Sequence, residues 1–459
     1  MREFPEKFKK RMMNLLGEDF QNFERCVLTE KNVKGLRVNT KKISVSNFLK
    51  INPYNLKKLP YNADGFIFND ENIQMGGEVY HQAGMFYMQE PSAMIPVNSV
   101  KIKKNWKVLD LCAAPGGKTS QISNALANEG FVIANDIKFD RCKALVFNIE
   151  RLGLDNVIIT SSNSESLCKN FSNYFDMVLI DATCSGEGMF RKNPNFIETW
   201  SQKNIERCCD IQQMLLLTAA KTLKKDGLLV YSTCTFSLEE NEQMIAQFLS
   251  AHPFELVEVD PKIVQNTAPG YAMNNEYEFS KMRRFYPHLH PGEGQFVAVL
   301  RKIISDGEEF CNCAQNKKCE IPNEVLAFLN SVGVSIDKDR LFIKSNKIWI
   351  IPKSHVILKN NVVSYGVKLG EIKNDSFVPD HAFFMAFGLE FNNIINFNGD
   401  EQKLKLYLEG KSFNWSCKNG YGVIQVNGCT LGGFYAKNNY VNSLYPKNLT
   451  NKDIFIKNE

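Results

Sequence analysis

Nowhere in the 459 residues does an apolar run approach the ~18 needed to cross a bilayer, so a membrane-spanning protein is excluded as a reading. The first residues include Glu3 and Glu6 where an export signal needs an uninterrupted apolar stretch, and a cytoplasmic protein is expected. A compact cysteine framework is also missing. The 13 cysteines are odd in number and scattered, which points to reduced thiols rather than disulfide staples. No repeat of fixed period is present. Charge is nearly balanced: 55 Lys and Arg against 50 Asp and Glu leave +5, which permits a polyanionic partner without requiring one. What is present is ordinary globular composition, 44% hydrophobic and 23% charged, in a chain long enough for two to four domains.

Residues 1–97 open with Phe4, Phe8, Met12, Leu15 and Leu16 at helical spacing among Lys7, Lys9, Lys10 and Arg11. That pattern predicts an amphipathic helix whose basic side is either solvated or turned toward RNA. A strand over 35–40 and a loop over 53–65 complete a small α+β domain. From Lys107 the texture changes to short apolar runs, Val108–Leu111, Phe131–Ala134, Val157–Ile159, Met177–Ile180 and Leu228–Tyr231, separated by helical segments over 118–126, 139–152 and about 202–223. Such alternation predicts a doubly wound, mostly parallel sheet over 98–302, with Phe296–Leu300 completing it. Polar, aperiodic residues 303–320 read as a linker, and 321–459 as a separate, mostly β region.

Two glycines follow the first of these strands in Leu111-Cys112-Ala113-Ala114-Pro115-Gly116-Gly117-Lys118-Thr119. The earlier glycine of a phosphate-binding P-loop is lacking, so the turn is not a P-loop. A glycine turn between strand and helix still lets a ligand approach backbone closely. About twenty residues on, Asp136 ends the next strand, where a carboxylate can hold both ribose hydroxyls, and together these describe an adenosine-type cofactor site. Asp181 and Cys184 follow one strand, and Cys234 follows another. Two thiols and a carboxylate therefore converge on the cofactor edge of the sheet, where reactive roles outweigh core packing.

The motifs Leu111 to Thr119, Asp181-Ala-Thr-Cys-Ser-Gly-Glu-Gly-Met-Phe-Arg191 and Ser232-Thr-Cys-Thr-Phe236 through Glu239-Glu-Asn241 make the chain resemble the Sun/RsmF family of S-adenosylmethionine-dependent RNA (cytosine-5) methyltransferases. Gly35–Thr40, Gln89–Ala93, Pro291–Phe296, Leu431-Gly-Gly and Tyr445-Pro-Lys447 place it near the RsmF branch. The resemblance implies a Rossmann-like class I methyltransferase domain and a PUA-like RNA-binding C-terminus. It implies S-adenosylmethionine held by 112–118, Asp136, Asn163 and Asp181. It also implies Cys234 as the nucleophile at cytosine C6, Cys184 as the helper in product release, Asp181 as the group serving N3 if burial keeps it protonated, and Lys118 facing cofactor and base. Two positions depart from the family pattern: Thr183 stands where proline is usual, and Ser161-Ser162-Asn163 where an acidic residue is usual near the adenine.

The expected partner is structured RNA, small-subunit rRNA first and tRNA second, met by a monomer. Arg191-Lys192, Arg283-Arg284 and the tail through Lys447 are the candidate RNA surfaces. A DNA methyltransferase is the same-class rival, and a catalytically silent assembly factor the rival from another class. Zinc at Cys311, Cys313 and Cys319 fits no standard ligand spacing, so no metal is expected. The C-terminal region is expected to dock RNA without touching the cofactor, so that its removal leaves cofactor affinity unchanged.

Overall fold

A computed structural model describes residues 3–68, 78–127, 129–305, 307–314, 320–354, 356–398 and 400–450. Helices α1 (Glu6–Leu16) and α2 (Phe20–Thr29) open the chain. Their apolar faces turn inward, and Phe8 and Phe23 are fully buried with Phe190, Ile197, Phe236 and Tyr286 of the central domain. The basic side chains between them are largely used within the protein: Lys9 pairs with Glu24, and Arg11 with Glu239. The basic helix is thus a packing helix.

Strands β1 (Lys34–Val38), β2 (Gly65–Phe68) and β3 (Phe86–Met88) form an antiparallel sheet, β1 in the middle, with a short strand Lys57–Lys58 on β2. The stretch expected to be loop over 53–65 therefore contains a strand.

The central sheet follows the predicted α/β pattern. Parallel strands β4 (Lys107–Asp110), β5 (Phe131–Asn135), β6 (Val157–Thr160), β7 (Phe175–Asp181) and β8 (Leu223–Thr233) lie in the order β8-β7-β4-β5-β6. Antiparallel strands β9 (Arg283–Phe285) and β10 (Gln295–Lys302) extend the β8 side. Helices α3 (Gly117–Ala125), α4 (Phe139–Leu152) and α5 (Gln202–Thr222) cover the faces. The strands are buried on both sides, as a parallel sheet between helices must be. Because β4 lies between β7 and β5, the chain reverses direction beside it, and the crevice beyond the carboxyl ends opens there.

The expected linker is woven into this fold. Phe310–Cys311 pairs with Phe171–Ser172, and Cys313–Ala314 pairs with Ile357–Leu358. Cys311 is disulfide-bonded, which departs from the all-reduced expectation. Cys319, and with it the zinc candidate, falls outside the described residues; no cluster of metal-ligating side chains occurs among the described ones.

The C-terminal region is mostly β, with four- and five-stranded sheets and helices Asn323–Val332, His381–Phe387 and Glu401–Leu408. It is not the detached appendage that was expected. Strand β11 (Val362–Ser364) pairs antiparallel with β6, closing that edge of the central sheet. Leu36, Val38, Phe66 and Phe86 of the N-terminal sheet share one apolar core with Phe397, Ile424, Leu431 and Phe434. The two ends of the chain are therefore joined by burial, which at ~25 cal/mol per Å² of apolar surface is the main cohesive term available.

Candidate active site

Three turns at the carboxyl ends of β4, β7 and β8 build the site. After β4 the chain passes Cys112 to Pro115 and reaches Gly116, whose φ of +108° suits glycine and whose absent Cβ would meet Leu145 at 3.0 Å. Helix α3 begins at the next residue, and its free N–H groups face the crevice end of the sheet. Beneath the turn Asp110 is buried. It accepts from Thr119 Oγ1 at 2.6 Å, and burial pushes its carboxyl up to about 7.

Asp181 and Ser232 are register partners at the ends of β7 and β8, and Ser232 Oγ donates to Asp181 Oδ1 at 2.9 Å. Lys118 Nζ donates to Asp181 Oδ2 at 2.7 Å. Burial alone would lower the Lys118 ammonium, but Asp181, followed by Cys234 and Asp110, raises it above its ordinary value. The Asp181 side chain is 36% exposed and engaged by this lysine.

The two thiols meet. Cys184 Sγ and Cys234 Sγ lie 3.3 Å apart, although 50 residues separate them in the chain. Cys184 is held well above the ordinary thiol range, first by its hydrogen bond to Cys234, then by burial, then by the charges of Cys234 and Glu240. Either sulfur can donate in this contact. Only Cys234 borders the open cavity, a space of about 260 Å³ whose wall also includes Cys112, Ala113, Ala114, Pro115, Gly117, Lys118 and Asp181.

The remaining expected residues lie outside that wall. Asp136 is buried, ties down Lys138 N with Oδ1, and has Oδ2 3.0 Å from Arg141 without a hydrogen bond. Asn163 is exposed and caps the helix Ser164–Asn170 by accepting from Ser166 N, so it does not join the cavity. Of the candidate RNA surfaces, Arg191 is buried against Glu293, and Arg284 against Glu242, while Arg283 donates to Thr267. These guanidiniums hold the fold together. Lys192 and Lys447 are exposed.

Two carboxylates that carried no role in the sequence reading position both thiols. Glu240, from the Cys234 loop, accepts Ser185 N at 2.8 Å and Gln212 Nε2 at 3.1 Å with one oxygen and Ser185 Oγ with the other. Gln212 also donates to Thr183 O, so the backbone is gripped on both sides of Cys184. Reciprocally, Glu187 of the Cys184 loop accepts Thr235 Oγ1, Phe236 N and Trp200 Nε1 at 2.8–3.0 Å, just past Cys234. Gly188 completes the join: its N–H donates to Cys234 O, and a Cβ there would lie 2.7 Å from Gly294. The signal for Glu240 was its place in Glu239-Glu-Asn241 directly after the thiol motif. Its partner Gln212 lies in α5, and nothing in the sequence joins them.

The crevice fits an adenosine-type cofactor. Asp110 Oδ1, beneath the glycine turn, is a buried acceptor without a hydrogen-bond partner among the described residues, while Asp136 Oδ2 faces Arg141 at 3.0 Å. Another cavity, of about 470 Å³, lies along α4 against residues 379–381 and 444–449, and it gathers no thiol.

Comparison with known proteins agrees with this geometry. The family described as 16S rRNA methyltransferase RsmB/F matches residues 97–301, and the N-terminal domain of 16S rRNA methyltransferase RsmF matches 4–91. Ribosomal RNA small subunit methyltransferase F of Erwinia tasmaniensis is 33% identical over 395 residues, 80% of each chain. The enzyme of the same name from Shigella sonnei is 30% identical over 89% of this chain and 88% of its own. Among solved structures, a methyltransferase homologue from Pyrococcus horikoshii is 30% identical with a TM-score of 0.57, covering 65% of this chain and 96% of its own. NSun6 of the same organism, solved with SFG, has a TM-score of 0.56 at 24% identity over 66% of this chain and 99% of its own, a likeness of fold.

Proposed function

The chain belongs to the RsmB/F family of 16S rRNA methyltransferases, and from that premise we propose that it methylates C5 of a cytidine in small-subunit rRNA through an adduct on Cys234. It is an S-adenosylmethionine-dependent methyltransferase of Rossmann-like fold. The observation that carries the cytosine-5 reading is the thiol pair 3.3 Å apart, one member of it open to the cavity, beside a lysine–aspartate pair.

Residues 112–118 and Asp136 would hold S-adenosylmethionine, which supplies an electrophilic methyl group when bound. The protein's task is to make C5 nucleophilic. Cys234, with the Cys184 thiol 3.3 Å away and the Lys118 ammonium on the same cavity wall, adds to C6, the new S–C6 bond pushing electrons toward C5 and N3. The Lys118 ammonium, steered by Asp181, hydrogen-bonds N3 or O2 as negative charge gathers there. Once C5 bears its methyl group, solvent water takes H5 as a proton, the C5–H electrons form the C5–C6 double bond, and the C6–S bond breaks to release sulfur as the Cys234 thiolate. Cys184, adjacent to Cys234, takes part in that elimination.

The target base must be unstacked, at a cost of a few kcal/mol, to reach a crevice beneath three loops. We assign the C-terminal region to docking the RNA, as the family resemblance of its Leu431-Gly-Gly and Tyr445-Pro-Lys447 motifs implies; exposed Lys447 supports this. Action as a monomer in the cytoplasm belongs to the same proposal. No described helix is long and apolar enough to cross a membrane.

The test is incubation of the full chain with S-adenosylmethionine and either small-subunit rRNA or a tRNA pool, followed by bisulfite sequencing. One or more protected cytidines confined to the rRNA are expected. Methylation of tRNA alone would move the substrate to the rival class, and the absence of any transfer would favour a silent assembly factor.

A further inference from the structure

The cavity contains a polar group that the reaction as described does not use. Gln295 opens β10 and lines the cavity, its side chain is buried (the residue is 4% exposed), and its Nε2 has no hydrogen-bond partner among the described residues. An unpaired buried amide donor costs about 1–3 kcal/mol, so a native protein keeps one where a ligand completes it. Its position is well determined. Cys234 and Gln295 come next on β8 and β10 beyond their last register pair, Thr233 with Phe296, and both line the cavity. The preceding Gly294 lies so close to both thiol loops that a Cβ would stand 2.4 Å from Phe236 of the Cys234 loop and 2.8 Å from Gly188 of the Cys184 loop.

We propose that Gln295 hydrogen-bonds the ribose 2′-hydroxyl of the target cytidine and makes the enzyme select ribonucleotides at the methylated position. The inference rests on reading the cavity as the site of C5 methylation through Cys234. Along the lip of the sheet the cofactor turn follows β4, Asp181 ends β7, Cys234 follows β8 and Gln295 begins β10. In cytosine, C6 is bonded to C5 on one side and to N1 on the other. With C6 over Cys234 and C5 turned toward the cofactor turn, N1 and its ribose are directed away from that turn, to the side where Gln295 stands. The 2′-hydroxyl is both donor and acceptor, and an amide offers one of each. Lys192, exposed on the same wall, is placed for an adjoining phosphate, which positions without selecting.

The experiment uses full-length protein and two versions of an rRNA fragment that the wild type methylates, identical except that one carries 2′-deoxycytidine at the methylated position. Wild type and Gln295→Met, close in volume and lacking the amide, are compared on both, together with S-adenosylmethionine affinity and melting temperature. The expected result is that wild type loses roughly fivefold to tenfold in kcat/KM on the deoxy substrate, the value of one neutral hydrogen bond. Gln295→Met should lose a similar factor on RNA and show no further loss on the deoxy substrate, a double-mutant cycle closing on one contact. Equal deoxy penalties in both proteins, no penalty in wild type, or an equal loss by the variant on both substrates would each overturn the proposal. The wild-type deoxy penalty is measured without any substitution, so a folding defect in the variant leaves a result that can still refute the contact. Should the wild type form no 5-methylcytosine on any RNA, the underlying reading fails instead.

Discussion

Glu240 provides the most demanding test of how the thiols are held. Replacing it by alanine removes the acceptor for Ser185 N, Ser185 Oγ and Gln212 Nε2, and leaves at least one buried N–H without a partner. A hydrogen bond to a charged group is worth about 1.5–3 kcal/mol, and the three are not additive because removal also relieves the burial of a carboxylate. A destabilisation of about 2–4 kcal/mol is expected, with kcat falling at least tenfold as the grip on both sides of Cys184 is lost. Glu240→Gln is different. Its carbonyl can still accept from Ser185 N and Gln212, and its amide can donate to Ser185 Oγ, which already lies 2.7 Å from Thr235 Oγ1 and can turn its proton there. That variant should keep its fold but lose the charge that helps hold the Cys184 thiol up. Product formation and the denaturant-resistant protein–RNA adduct, measured from about pH 6 to 9, separate the two effects. In Glu240→Gln the limb set by Cys184 should move to lower pH, while S-adenosylmethionine affinity is unchanged in both variants. A Glu240→Ala protein with kcat within about threefold of wild type would refute the clamp.

Cys234→Ser should abolish methyl transfer while leaving cofactor binding near normal, because a hydroxyl cannot ionise near neutral pH; appreciable turnover overturns the assignment. Cys184→Ala should transfer methyl and then stall, leaving an adduct visible on a denaturing gel; an adduct in Cys234→Ala instead would reverse the two roles. Glu78 is fully buried, has one oxygen without a partner, and is pushed by burial up to about 8 from an ordinary 4.5. Since the folded state binds this proton more tightly than the unfolded one, its contribution is fully present below about pH 4.5 and is lost as pH rises to about 8, at roughly 1.4 kcal/mol per unit. The melting temperature of Glu78→Gln relative to wild type should therefore climb across that window, and a pH-independent difference would refute the burial argument.

The central sheet was legible because parallel strands buried on both faces are written as uninterrupted apolar runs. Val108–Leu111 and Met177–Ile180 needed no context to be read. Cys184, Cys234, Asp181 and Lys118 were legible from the motifs around them, and the structure brings all four together. Pairing between distant segments could not be read. Arg191, Arg284 and Arg11 look like a cationic surface in the sequence, yet each is neutralised by a carboxylate 42 to 228 residues away. Burial of such charges is invisible without the partner's position, so exposure was the natural assumption and the wrong one. Asn163 shows a local version of the same limit: a helix cap and an adenine contact ask for the same side chain.

Distant pairing also binds the C-terminal region to the rest of the chain. Polar composition over 303–320 suggested a tether, but two-residue strands on either side of Asn312 pair with the central domain and with residues 357–358, and β11 covers the exposed edge of β6. An uncovered edge strand has unpaired N–H and C=O groups and is a site of aggregation. The N-terminal sheet would lose its apolar partners Phe397, Ile424 and Phe434 at the same time. Truncation after Lys302 should therefore lower the melting temperature by more than about 10 °C or yield insoluble protein, where a tethered docking module would have left the remainder intact. The clean probe of RNA docking is Lys447→Glu in the full chain, since that side chain is exposed and bears on no core. Weaker RNA binding with a shallower salt dependence, by about one unit of log–log slope per lost phosphate contact, is expected at unchanged cofactor affinity. A truncated protein that melts like the full chain would refute the shared core, and a Lys447→Glu protein with unaltered salt dependence would remove Lys447 from the docking surface.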